Sequence, residues 1–81
     1  MTEQREALRE LAPSAKLVHR VLDDADDPLT ESDIIEESLL PARTVRYAVS
    51  HLEEAELVEC RPNPGDARQR LYSITEPANN R

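Results

Sequence analysis

The sequence predicts an α+β domain, a three-helix core followed by a two-stranded β-hairpin. Three observations carry that prediction. Apolar residues recur at helical spacing in three successive segments bounded by prolines. After them, two short runs of strand-forming residues flank PNPGDAR, which contains Gly65, the single glycine of the chain. Around that turn, in RPNPGDARQR, sit Arg61, Arg68 and Arg70, although the formal net charge of the whole chain is −7.

A chain of 81 residues makes one small domain. It buries only about 60% of its unfolded surface, so its core is thin. The aromatic residues are two tyrosines, without Phe or Trp, so the core must be built from Leu, Ile, Val and Ala. Cys60 is alone and cannot form an internal disulfide. One thiol and two histidines far apart in sequence build no structural zinc site, so no metal or other cofactor is expected. No signal peptide and no apolar run of membrane-spanning length is present, which reads as a cytoplasmic protein without a membrane partner. With a single glycine, most phosphate-cradling loops are excluded. No nucleophile stands near a base and no carboxylate pair lies in an apolar setting, so an enzyme is not expected.

Nine of the ten basic residues are Arg and one is Lys16. An acidic, Lys-poor surface suits a cytoplasm of very high salt, where repulsion is screened. An ordinary acidic domain has the same composition, and both readings stand. The charge is uneven. Residues 1–40 carry 11 acids and 4 bases, whereas residues 41–81 carry 6 of each, which points to a functional surface in the second half.

In chain order, residues 1–12 read as a short helix or flexible arm, with Ala7, Leu8 and Leu11 on one side of TEQREALREL. Pro13 opens the domain proper, residues 13–75. The first core helix places Leu17, Val18, Val21 and Leu22 on one face. Its aspartates and Pro28 are read as a turn over 23–28, because acids at a helix C-terminus oppose the dipole. Thr30 and Asp33 form a capping box for a helix over 31–38, with Ile34, Ile35, Ser38 and Leu39 inward. Pro41 is the expected first residue of the next helix, about 41–55. There Val45, Ala48, Val49 and Leu52 face the core. At 100° per residue from Val45, Arg43, Arg46, Tyr47 and Ser50 fall between about 100° and 200°, on the opposite face. Glu53, Glu54 and Glu56 come at the far end of the segment. Strands are expected over 57–61 and 69–75, with Pro64-Gly65 central in a type II turn that requires positive φ at glycine. Residues 76–81 lack periodicity and are expected to be disordered.

Two helices joined by a short break, the second with an arginine-rich face, followed by a hairpin with arginines at its tip, make a winged helix-turn-helix. At this level the segment TESDIIEESLLPARTVRYAVSHLEEAELVECRPNPGDARQRLYSIT resembles the winged-helix DNA-binding domain of MarR-family transcriptional regulators. RTVRYAVSHLEEAELV is similar to that family's recognition helix running into the first wing strand, and DARQRLYSIT to its wing signature. The resemblance covers roughly residues 14–75 and implies roles. Arg68 matches a wing-tip arginine inserted into a minor groove, and Asp66 the acid that orients it. Arg43, Thr44, Arg46 and Tyr47 lie on or beside the helix that enters the major groove. Glu56 stands where family members often carry a left-handed glycine. Full-length members also add long helices that form a dimer and hold a small ligand. Here only residues 2–11 offer a homodimer contact, and no small-molecule ligand is expected.

The residues themselves support the same expectation of a double-stranded DNA partner. Arg can fork onto guanine, and Tyr47 and Ser50 can reach phosphates or base edges. Thr44 suits a phosphate contact or packing on the preceding helix equally. Arg61, Arg68, Gln69 and Arg70 fit a wing, 61–70, at a minor groove or the backbone. The blander reading is a solvated helix face and a hairpin edge guarded by charge, a task for Arg61 and Arg70, which alternation points together. The competing function is a protein–protein interaction module of a larger assembly, with the acidic first half against a basic partner. Cys60 reads as a small hydrophobe rather than a sensing thiol, and His19 and His51 are assigned no function.

Overall fold

The computed structural model describes residues 11–75. The expectations for the N-terminal arm, apart from Leu11 and Ala12, and for the tail at 76–81 lie outside the described residues. The order is α1 (Pro13–Asp24), α2 (Glu31–Ser38), α3 (Ala42–Glu54), β1 (Val58–Asn63) and β2 (Asp66–Ile74). This is the three-helix core and antiparallel hairpin read from the sequence.

Pro13 starts α1 because its missing N–H is one that a first turn leaves without a partner anyway. The helix continues through Asp23 and Asp24, which the sequence reading had assigned to the following turn. Arg20 offsets part of the unfavourable dipole by pairing with Asp24 at 3.5 Å, one turn away. The inward residues of α1 are Ala15, Val18 and Leu22, while Leu17 is 40% exposed and Val21 half-buried. The buried stripe is therefore rotated from the expected one.

Helix α2 carries the capping box in full. The Asp33 N–H donates to Thr30 Oγ1, and the Thr30 N–H donates to Asp33 Oδ2, both at 3.1 Å. Ile34 and Ser38 are buried and Ile35 is partly so. Leu39, expected inward, is 87% exposed. It is the C-cap, with φ 62°, and the left-handed turn swings its side chain off the helix face. Ser38 Oγ accepts from the Leu40 N–H at 3.2 Å and helps hold this tight corner. Pro41 then acts as the N-cap of α3 rather than its first residue.

Val45, Ala48, Val49 and Leu52 of α3 are all buried, as their spacing predicts. They meet Val18, Leu22 and Ile34 from the other helices and Leu57 and Val58 from the start of the hairpin in one core. The chain leaves α3 through Glu56 at φ 63°, the left-handed position where a glycine is common. The sheet is wider than expected by one contact. Leu29, just before α2, forms a bridge to Tyr72 of β2, with backbone hydrogen bonds of 3.0 and 2.8 Å in the two directions. The hairpin is thereby fastened to the helix-turn-helix at a second point, besides its covalent link to α3.

Two predictions follow from this packing. Leu39 sits in a conformation that costs an L-residue roughly 1–2 kcal/mol, and its side chain makes little contact to repay it. Leu39→Gly is expected to raise Tm by several degrees, about 4–8 °C per kcal/mol in a domain of this size, in a thermal melt followed by circular dichroism. His19 has its pKa lowered by burial first, with Asp23 opposing in part. Its neutral form is thus favoured in the folded state, so the unfolded chain binds more protons as pH falls below the ordinary histidine value, and stability drops there. Melts between about pH 7 and pH 5 are expected to show a falling Tm, and His19→Gln to flatten that slope.

Candidate nucleic-acid interface

The outward face of α3 is laid down by the same periodicity that buries its inner face. Arg43, Arg46, Tyr47 and Ser50 are exposed, and Thr44 is half-buried at its edge. The sequence reading brought these side chains together correctly, but it missed two partners. Arg46 Nε donates to Glu31 Oε2 at 2.8 Å, an ion pair contributed by the first residue of α2. The face read from α3 alone as free of acid is therefore bordered by Glu31 of the neighbouring helix, and Glu53 of α3 itself lines the same cleft as Arg46 and Ser50. Fifteen residues separate the pair in sequence, and only the crossing of α2 and α3 brings them together. Tyr47, 58% exposed, packs its ring edge-on against His51, with centroids 4.3 Å apart. That contact is an i, i+4 pair and was open to reading from spacing.

The hairpin differs from its expected form. Both strands are longer, and Pro64-Gly65 is a two-residue connection between paired Asn63 and Asp66. No glycine has positive φ, so the turn is not type II. Asn63 supplies the bend instead, its Oδ1 accepting the Gly65 N–H at 2.9 Å in a side-chain mimic of a turn. Pairing jumps from Pro62–Arg70 to Asn63–Asp66, leaving Ala67, Arg68 and Gln69 in an irregular bulge. The bulge pushes Arg68 outward, and its side chain is 92% exposed. Asp66 Oδ1 accepts the Arg68 N–H at 3.0 Å and lies 3.7 Å from Arg68 Nε. Gln69 Oε1 accepts from Asn63 Nδ2 at 3.4 Å across the loop.

Arg61 and Arg70 do not point together, as alternation had suggested. Arg61 is opposite Leu71, and Arg70 is opposite Pro62, so the two arginines lie on opposite faces of the hairpin. Arg70 shares a face with Cys60 and Tyr72, and its Nη1 donates to Cys60 Sγ at 3.5 Å. Cys60 is half-buried rather than fully enclosed. Arg70, fully exposed, has its pKa raised, first by the hydrogen bond to Cys60. Burial pushes the Tyr72 phenol up, reinforced by Cys60, Glu53 and Glu31. Thr30, Glu31 and Ser32 at the start of α2 line a cleft with Arg68, Gln69, Arg70 and Tyr72, so the wing stands beside the helix-turn-helix. The acids Asp23, Asp26 and Asp27 instead lie at the base of the hairpin, beside Ser73 and Ile74. Among the described residues, no three His, Cys, Asp or Glu side chains converge to hold a metal ion, and no helix is long and apolar enough to cross a membrane.

A helix-turn-helix with a two-stranded wing defines the winged-helix class, and the chain has the form it takes in MarR-family transcription regulators. The zinc-responsive MarR family member ZitR of Lactococcus lactis superposes with a TM-score of 0.72 at 27% identity, over 83% of this chain and 45% of its own. The PcaV transcriptional regulator of Streptomyces coelicolor, solved with its natural ligand, gives 0.76 at 24% identity, over 83% and 47%. MepR of S. aureus in a DNA complex gives 0.74 at 19% identity, over 91% and 62%. The chain spans about half the length of the solved structures it matches. No protein-family model matches it, and neither does any curated protein sequence.

Proposed function

We propose that the protein is a duplex DNA-binding transcriptional regulator, with α3 in the major groove and the wing at an adjacent minor groove or the backbone. The observation that carries this reading is the arrangement of the arginines. Arg43 and Arg46 are exposed on the outer face of α3, and Arg46 lines a cleft with Glu31 and Tyr72, which also line the cleft that holds Arg68 and Arg70 of the wing, within a chain of net charge −7. A solvated surface gives no reason to concentrate cations there. A groove between two phosphate backbones does. The likeness to MepR, solved as a DNA complex, supports the same function.

Within that reading, Arg43, in the first turn of α3, and Thr44 at its edge contact a phosphate or a base edge, and Tyr47 and Ser50 extend the contact along the groove. Arg68 enters the minor groove, with Asp66 holding the base of its side chain. Arg61, Gln69 and Arg70 flank it. A homodimer reading two half-sites multiplies the specificity of so small a footprint.

The second reading, a protein-docking module, draws on a groove between α1 and α2. Leu17, Val21 and Leu29 line it, and Asp24, Glu36 and Glu37 border it. Binding of the isolated protein to duplex DNA separates the two readings.

The test is fluorescence-anisotropy titration of a labelled duplex at low salt. Arg43→Ala and Arg68→Ala are each expected to raise Kd at least about fivefold while leaving the melting curve intact. Arg20→Ala, on α1, is expected to leave Kd unchanged. Parental affinity in both arginine variants of the interface contradicts the assignment.

A further inference from the structure

The arginines proposed to meet DNA differ in their electrostatic surroundings. Among the described residues, Arg43 has no ion-pair partner, and Arg68 has only its sequence neighbour Asp66 at a loose 3.7 Å. Arg46 is held at 2.8 Å through Nε by a carboxylate from another helix. Arg46 lines a small cleft together with Glu31, Val49, Ser50, Glu53 and Tyr72. We propose that Glu31 is a positioning residue that makes Arg46 a reader of guanine in the major groove rather than a phosphate anchor. The inference rests on the DNA-binding reading and adds a specificity determinant to it.

The argument starts from the atom that is engaged. Glu31 takes Nε, and among the described residues neither η nitrogen of Arg46 has a hydrogen-bond partner. Those two nitrogens carry the parallel N–H donors that match O6 and N7 of guanine. A long side chain with several rotatable bonds is otherwise spread over many rotamers, and the bond to Glu31 removes much of that freedom before DNA arrives.

Charge then sorts the possible acceptors. A guanidinium already neutralised by a carboxylate displaces few counter-ions from a phosphate, and the Glu31 carboxylate repels that phosphate directly. Base acceptors are uncharged, and the paired guanidinium loses much less toward them. The capping box fixes Glu31 in place, because Thr30 and Asp33 anchor the turn from which it projects. The sequence separation of the pair explains why periodicity within α3 did not reveal the arrangement.

The experiment is selection of preferred sites from a randomised duplex pool by the parent, Arg46→Ala, Glu31→Ala and Glu31→Gln. Affinities for the parent's selected duplex and for a scrambled duplex are then measured over a range of salt. The parent is expected to select guanine at a defined position of its site. Arg46→Ala loses that preference, and its salt slope, d log K/d log[salt], stays within about 0.3 of the parent's. Glu31→Ala also loses the preference, but its slope steepens by about 1, because a masked cation is released to phosphates. Glu31→Gln, which keeps an acceptor for Nε, restores guanine selection, a rescue that a purely structural role does not produce. A slope flattened by about 1 in Arg46→Ala with base preference intact marks a phosphate anchor and overturns the inference. Tighter binding by Glu31→Ala with guanine selection unchanged also overturns it, as does a parent that binds duplex without selecting any sequence. A parent that binds no duplex at any salt removes the DNA-binding reading itself.

Discussion

The two backbone hydrogen bonds between Leu29 and Tyr72 are the contact on which the geometry of this domain depends. They join the segment entering α2 to the C-terminal part of β2. Besides them, the hairpin is attached to the helices through Glu56, the buried pair Leu57 and Val58, and the packing of Tyr72 and Ile74 on the core. With them, the capped start of α2 and the wing are held side by side. The distance between the arginines of α3 and those of the hairpin is then a fixed property of the fold. A two-stranded hairpin alone is marginal in water, so this third backbone partner also supports the wing itself. Tyr72, half-buried with a raised pKa, packs at the same junction, where α2, α3 and β2 meet.

Under the proposed function, an acidic protein would meet a polyanion through separation of charge. The aspartates of the α1–α2 connection lie at the base of the hairpin, and Arg68 lies in the bulge at its tip. At about 3.3 Å per residue along β2, Arg68 stands up to roughly 16 Å from Ser73, beyond the ~8 Å Debye length at physiological ionic strength. At that range the acids keep the domain soluble and contribute little to the potential at the tip. Three acids lie closer to these arginines: Asp66 beside Arg68, and Glu31 and Glu53 in the cleft with Arg46. In the proposed reading, the Glu31 carboxylate tunes Arg46 and leaves Arg43 available for a phosphate.

The helices were legible in the sequence because each is specified locally. Pro13, the Thr30–Asp33 capping box and the spacing of Val45, Ala48, Val49 and Leu52 depend only on residues within a turn or two. The left-handed exit at Glu56 could be anticipated from the resemblance. What escaped depends on contacts between elements, or on side chains competing with backbone preference. Leu39 was placed inward by periodicity that ends one residue earlier, at the left-handed cap. Gly65 was given a positive φ that Asn63 makes unnecessary by bending the chain with its own amide oxygen. Arg61 and Arg70 were paired by simple alternation, but the register puts them on opposite faces. The Arg46–Glu31 pair and the Leu29–Tyr72 bridge each join residues far apart in the chain, and no local pattern encodes them.

The central claim is that the exposed face of α3 and the wing form one continuous DNA-binding surface. Titration of isotope-labelled protein with a short duplex, followed by NMR at two salt concentrations, tests it most directly. Non-specific affinity of ~10⁻⁴–10⁻⁶ M suffices to move resonances without knowledge of the preferred site. Amides of residues 43–50 and 61–70 are expected to shift together, and by less at the higher salt. Shifts confined to the groove between α1 and α2, or no shifts in either salt, contradict the account.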